Sequence, residues 1–340
     1  MSRTLSNVDP ALRRCWHPVA RPAEVTEQPG KFLLLGEPWV LYRADGRIVA
    51  FADRCPHRHT PLSIGHCEAG VVQCAYHGWR FDASGACVEI PALGAGATLP
   101  PAARLSPPAG LVEAHGIVFL APEEPIAPLG AIAESTDPSF TAGELPTLPT
   151  RGSAGLLADN FLDVAHFPFV HAGTFGAEEA SEVPQYAVAR DGWGFTMSYE
   201  HSFSNREDRG VAAGLRPLVQ HRRLTYRLDA PFHLSLRIEF IEAGGTNVIG
   251  FFIQPETADT CRLFTTLWRD DLSGDASRLA EAVDFEVAVL REDLVIQEAF
   301  HELALPLTAA AEVHTRADRT TLELRRVLSD LVVAAAGDGG

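Results

Sequence analysis

The chain has 340 residues, of which 46% are hydrophobic and 21% charged, enough for two domains with packed cores. Its formal charge of −16 argues against a nucleic-acid or anionic-membrane partner, because both repel an acidic surface. No apolar run reaches the length of a membrane span, Met1-Ser2-Arg3-Thr4 lacks the apolar core of a signal peptide, and Cys15, Cys67, Cys87 and Cys261 have no disulfide-scaffold spacing, so cytoplasm is the expected location.

Elements follow in chain order. Val40-Leu41-Tyr42 and Ile48-Val49-Ala50-Phe51 flank the turn residues Ala44-Asp45-Gly46-Arg47, a hairpin signal. A second turn falls at Asp82-Ala83-Ser84-Gly85, residues 91–110 read as a loop wrapped over a domain, and Gly116–Leu120 reads as a closing strand. From Pro122 to Pro149 the prolines predict an inter-domain connection, with the boundary at residue 125: domains 1–125 and 126–340. Beyond it the patterning predicts a helix over 153–167, then strands at 193–203, 221–229, 232–242, 247–254 and 261–269, an antiparallel meander. Leu279, Val283, Val287, Leu290 and Leu294 recur at helical spacing within one long helix, 276–303, and a last helix covers 317–335.

Chemistry concentrates at two places. Cys55-Pro56-His57 and Cys74-Ala75-Tyr76-His77 form a C-x-H and a C-x-x-H box sixteen residues apart, each in a stretch punctuated by Gly and Pro. Two thiolates on one iron and two imidazoles on the other make a Rieske [2Fe–2S] centre. A tetrahedral zinc site is the alternative, but such sites pair Cys with Cys and His with His along the chain, whereas here each loop supplies one of each.

The second place is Asn160-Phe161-Leu162-Asp163-Val164-Ala165-His166-Phe167-Pro168-Phe169-Val170-His171. Asn160, Asp163 and His166 recur every three residues, which predicts one helix face. Pro168 breaks the helix and lets His171 swing back toward His166. Two histidines with one carboxylate are the facial triad of non-haem Fe(II) oxygenases, although a lone His-x₄-His pair is more often two core histidines.

Taken together, in this order, these motifs resemble the α subunits of the Rieske non-haem iron oxygenases, over essentially the whole chain. The resemblance implies that Cys55 and Cys74 bind one cluster iron and His57 and His77 the other, and that His166 and His171 bind a mononuclear iron. It implies that Asp163 bridges a mononuclear-iron histidine to a cluster histidine of the neighbouring subunit, with Asn160 beside the iron. Arg291-Glu292-Asp293-Leu294 resembles the family's late Glu-Asp segment and makes Asp293 the third ligand, ahead of Asp284, Glu286 and Glu298. Glu292 and Asp293 point about 100° apart on a helix, so one of them faces the iron.

The fold so implied is α+β: an N-terminal all-β Rieske domain, then a catalytic domain whose antiparallel sheet wraps a long C-terminal helix, of helix-grip type. Cys55-Pro56-His57-Arg58 with Pro61-Leu62-Ser63 resembles the shorter demethylase and monooxygenase members, which form head-to-tail homotrimers. The activity implied is hydroxylation or oxidative demethylation of a small aromatic or alicyclic substrate with O₂. Electrons come from NAD(P)H through a separate ferredoxin or reductase, since the chain has no nucleotide-binding fingerprint of its own. Cis-dihydroxylation or desaturation is the alternative within the family; a Rieske electron carrier or a ligand-binding protein is the alternative outside it. Phe203, His233, Phe251 and Phe285 are the expected pocket residues.

Overall fold

The computed structural model describes residues 3–176, 181–206 and 208–337; Met1 and Ser2 of the N-terminal reading lie outside them. The chain divides into two compact units, Arg13–Pro125 and, together, the residues before Arg13 and those from Ile126 onward. The first twelve residues therefore differ from the domain expected from sequence. Their strand β1 (Thr4–Leu5) pairs with Leu305 and Pro306, and Asn7 donates to the carbonyls of Gly152, Thr257 and Thr260 while accepting from Ala154 N. Such pairing over hundreds of residues leaves no local sequence signal.

The unit Arg13–Pro125 is all β. It holds β2 (His17–Ala20), the antiparallel trio β3 (Gly30–Leu34), β4 (Glu37–Ala44) and β5 (Arg47–Ala52), the short strands β6 (His66–Glu68), β7 (Val71–Gln73), β8 (Arg80–Phe81) and β9 (Cys87–Glu89), and the hairpin β10 (Gly110–Ala114) with β11 (Ile117–Ala121), which pairs β2. The β4–β5 turn forms as its sequence demands, with Asp45 and Gly46 both at positive φ (49° and 76°). Val40, Tyr42, Phe51, Leu62, Val72, Phe81 and Leu105 build the core.

The second unit is a sheet gripping a helix. Its strands are β12 (Thr141–Glu144), β13 (Leu148–Arg151), β14 (Val188–Asp191), β15 (Gly194–Ser204), β16 (Val219–Asp229), β17 (His233–Phe240), β18 (Thr246–Pro255) and β19 (Thr260–Arg269), and β20 (Leu305–Pro306) pairs β1. They run antiparallel in the order 12-19-18-17-16-15-14, with β13 also on β19. Thus β12 and the start of β13 lie inside the stretch expected to be a connection; both are short and Pro-flanked, and their partner is more than 100 residues away.

Helix α1 spans Ala154–Leu162, α2 Phe167–Val170, α3 Arg209–Ala212, α4 Ala276–Glu298 and α5 Arg319–Gly337. The helix expected over 153–167 therefore stops five residues early. Asp163 leaves helical geometry (ψ 126°), its carboxylate accepts from Ala165 N at 2.8 Å, and the Thr320 hydroxyl donates to the Leu162 carbonyl at 2.7 Å. Arg325, buried on α5, forks onto both Asp159 oxygens at 2.7 and 2.9 Å and pins α1 from outside. Helix α4 is N-capped by Asp275 and ends at Glu298 rather than 303. Its buried face carries Ala282, Glu286, Val289, Leu290, Asp293, Leu294 and Gln297. Three of those seven are polar or charged, which a purely structural core helix does not require.

Candidate active site

Two loops of the first unit share one geometry. Cys55 N donates to Thr60 O and Cys74 N to Trp79 O, each at 2.9 Å and each five residues on. In both, the residue four positions after the cysteine donates back to its carbonyl from left-handed backbone: His59 at φ 60° and Gly78 at φ 69°. The loops turn both cysteines into the core and leave His57 half-buried and His77 exposed, their ring centroids 4.5 Å apart. Trp79 stacks on His57 at 4.6 Å and 6° and fixes its plane.

Burial pushes the Cys55 thiol up to about 11, and the neighbouring Cys74 thiol adds to it. His57 is lowered by its surroundings, by His77 and by Arg58. Two buried thiols on these loops and two imidazole rings 4.5 Å apart are donors that suit a positive metal group. Such a set suits a cluster with a thiol end and an imidazole end.

The second constellation does converge. His166 is the N-cap and His171 the C-cap of α2, so one turn of helix holds both rings on one side; Pro168 sits in its first turn, where its missing N–H costs nothing. Pro168 therefore starts a new helix, and His166 does not lie on α1 with Asn160. The distances His166 Nε2–His171 Nε2, His166 Nε2–Asp293 Oδ1 and His171 Nε2–Asp293 Oδ1 are 3.2, 3.3 and 3.2 Å. Asp293 is 3% exposed and its Oδ1 has no hydrogen bond, an orphaned acceptor facing two imidazole nitrogens. An ion with bonds of about 2.1 Å touches all three donors at once, so the residues present fit a facial-triad metal.

Carboxylates stand behind both rings. Glu292 Oε2 accepts from His171 Nδ1 at 2.8 Å and from Thr174 Oγ1 at 2.9 Å; Asp163 Oδ2 is 3.4 Å from His166 Nδ1. The hydrogen bond at His171 Nδ1 fixes the tautomer that leaves its Nε2 free for metal, while His166 Nδ1 has Asp163 at ion-pair distance and makes no hydrogen bond. Burial alone lowers the His166 imidazolium, but Asp163 and Asp293 outweigh it and hold it up to about 9. Burial raises Asp293, yet His166 and His171 carry it below the ordinary carboxylate range. Sequence reasoning assigned Glu292 no task; its position beside Asp293, turned toward the His171 ring, was the available signal.

Of the other expected residues, Asn160 is half-buried on α1 with an unpartnered Oδ1. Asp284 and Glu298 are exposed, and Glu298 accepts from Thr150, so neither belongs to the triad. Glu286 is buried two turns before Asp293 and faces a cavity rather than the metal donors.

That cavity is bounded by α1, α2, α4 and the inner face of β15–β18, and His166, His171 and Asp293 form part of its wall. Phe203, Phe251 and Phe285 line it as expected, while His233 does not and packs on Phe252 instead. Strand alternation places Arg222, Leu224 and Tyr226 of β16 inward at every second residue, opposite Phe240, Ile238 and Leu236. Arg222 and Asn247, neither of them singled out in the sequence, join this wall.

Comparison with known proteins gives the family. Residues 15–102 match the Rieske [2Fe-2S] domain and residues 151–334 the vanillate O-demethylase oxygenase C-terminal domain. Methylxanthine N3-demethylase NdmB of Pseudomonas putida is 29% identical over 338 residues, covering 95% of this chain and 90% of that protein. The dicamba O-demethylase oxygenase component of Stenotrophomonas maltophilia is 34% identical over 190 residues, 53% of this chain and 54% of that protein. The structure of Pseudomonas putida CBB5 NdmA with caffeine superposes with a TM-score of 0.83 at 25% identity, covering 97% of this chain and 94% of that one. Among the described residues no helix is long and apolar enough to cross a membrane.

Proposed function

The chain belongs to the Rieske non-haem iron oxygenases whose C-terminal domain is of the vanillate O-demethylase type, and from that premise we propose that it is a terminal oxygenase removing O- or N-methyl groups from a small aromatic substrate. Its cofactors are a Rieske [2Fe–2S] cluster and a mononuclear iron, with O₂ as co-substrate. The observation that supports this reading best is the mutual 3.2–3.3 Å approach of His166 Nε2, His171 Nε2 and Asp293 Oδ1 at the wall of a phenylalanine-rich cavity.

When bound, the cluster supplies single electrons and the iron supplies dioxygen activation. In the proposed assignment Cys55 and Cys74 hold the buried end of the cluster and His57 and His77 the outer end. His166, His171 and Asp293 hold the iron, and Glu292 keeps the His171 imidazole in the ligating tautomer. Asp163 is a third exposed and spends one oxygen on Ala165 N, so its other edge is reachable from a second copy of the chain. A head-to-tail homotrimer, with a cluster histidine of the neighbouring subunit on Asp163, uses that edge. A separate ferredoxin or reductase delivers the electrons.

The phenylalanines keep the site dry and press the ring substrate against the triad side. The balance is R–X–CH₃ + O₂ + 2e⁻ + 2H⁺ → R–XH + HCHO + H₂O, X being O or N; the hydroxymethyl product loses formaldehyde without further help. The test is turnover of methoxy- and N-methyl-arenes by iron-loaded protein with NADH and a surrogate reductase, scoring formaldehyde against O₂ consumed. One formaldehyde per O₂ is expected. Oxygenated product without formaldehyde instead identifies a hydroxylating or dihydroxylating enzyme, an alkene product identifies a desaturating one, and no O₂ uptake with any electron donor leaves a carrier or binding protein.

A further inference from the structure

The substrate cavity has a second, polar end. On α4, Glu286 lies seven residues before Asp293, two turns on the same inward face and about 10 Å along the axis. Around it the sheet brings Asn247 of β18 and Arg222 of β16: Asn247 and Leu224 both lie beside Ile238, and Arg222 is one inward position further along β16. All three side chains line the cavity and all are buried, Asn247 to 1% exposure. Between this end and the metal donors the walls are apolar, with Val289 and Leu290 on the helix and Ile249 on the sheet.

Asn247 Nδ2 donates to Glu286 Oε1 at 3.4 Å. A carboxylate only accepts, so the amide nitrogen must face it, and Asn247 Oδ1 turns away, buried without a partner. A buried carbonyl left unsatisfied costs free energy that a ligand N–H recovers. Arg222 donates to Asn205 Oδ1 at 3.2 Å and lies over Phe240, 4.9 Å from its centroid, with its charge close to the same end. Arg269, opposite Asn247 in register and over the same Phe240 ring at 5.5 Å, forks onto Asp271. Arg222 and Arg269 are thus balanced by Glu286 and Asp271, no net charge is left to hold an ionised ligand, and the Glu286 carboxylate repels an anion.

Resting on the oxygenase reading above, we infer that Asn247, Glu286 and Arg222 are the specificity end of the cavity, and that they select a neutral ring compound with an N–H and C=O edge, of lactam type, over aromatic carboxylates. Asn247 Oδ1 accepts the ring N–H, and the ring body fills the apolar middle with the opposite edge at the triad.

The test is calorimetric binding to the holoprotein under anaerobic conditions, without electron donor, using quinolin-2(1H)-one, its 1-methyl derivative and 2-naphthoate. The lactam is expected to bind about tenfold or more tightly than either of the others, the discrimination of one buried hydrogen bond. Asn247→Leu, close in volume, is expected to bring the lactam to within about twofold of its N-methyl derivative. Glu286→Gln, which keeps the shape and removes the charge, is expected to raise 2-naphthoate affinity about tenfold, and this arm stands if the leucine variant fails to fold. A wild-type protein that prefers 2-naphthoate, binds none of the three probes, or keeps its lactam preference in Asn247→Leu overturns the assignment. Because binding is read without turnover, failure here is distinct from failure of the oxygenase reading: a protein that holds iron and releases formaldehyde but prefers 2-naphthoate loses only this assignment.

Discussion

Glu292→Gln tests whether the carboxylate behind His171 matters to the metal. In the native chain its Oε2 takes two donors, His171 Nδ1 at 2.8 Å and Thr174 Oγ1 at 2.9 Å, beside an imidazole that is 1% exposed. A hydrogen bond with one charged partner contributes about 1.5–3 kcal/mol. Because the Glu292 side chain is 29% exposed, solvent screens part of it and the lower figure applies. That is about a tenfold loss of metal affinity for Glu292→Gln, and about a hundredfold for Glu292→Ala, which frees the ring to rotate or change tautomer. The assay is competitive Co(II) or Fe(II) titration of the mononuclear site against a chromogenic chelator, with the visible spectrum of the Rieske cluster as internal control. Metal affinity within twofold of wild type in both variants, with the fold intact, refutes the reasoning.

Other consequences follow from the same geometry. His166 is held protonated up to about pH 9, and metal must displace that proton, so apparent Fe(II) affinity should rise with pH and level off near 9; a flat profile between pH 6 and 9 contradicts the charge arrangement. The sign for folding is opposite: a histidine raised above its unfolded value of about 6.5 stabilises the metal-free protein fully below that pH and loses the contribution as pH climbs through 9, seen as a falling melting temperature. Asp163→Asn should leave both metal centres loaded, yet slow turnover by on the order of a hundredfold, as loss of a positioning contact does; unchanged single-turnover oxidation of the reduced cluster removes Asp163 from the electron path. Gly78→Ala places a side chain on φ 69° backbone and 3.2 Å from Pro91 Cγ, which should cost about 1–2 kcal/mol and lower cluster occupancy, checked by iron and sulfide analysis; full occupancy and stability argue against strain in that loop.

What the sequence disclosed and what it hid have physical causes. The proposed metal donors were legible because ligand spacing is local: Cys55 with His57, Cys74 with His77 and His166 with His171 each sit on one loop or one turn. The five long strands were legible from alternation, as in β16, where every second residue from Gln220 to Leu228 is buried. The end of α1 was not, because a short acidic side chain at Asp163 bonded its own backbone and a hydroxyl from residue 320 capped Leu162. Nor were β12 and β13, which pair with the distant β19. The polar end of the cavity was half visible: Glu286 at helical spacing from Asp293 advertised an inward carboxylate. Arg222 and Asn247 meet it only through strand register, which no local pattern encodes.

The central claim is that one chain carries both a two-iron cluster and a separate single-iron site. Iron content with low-temperature EPR of the anaerobically purified protein, before and after dithionite, addresses it most directly. About three irons per chain with a reduced Rieske signal, falling to about two with that signal intact in Asp293→Ala, is the predicted result. Two irons in the native protein that stay at two after Fe(II) is supplied, or zinc with no such signal, contradicts it.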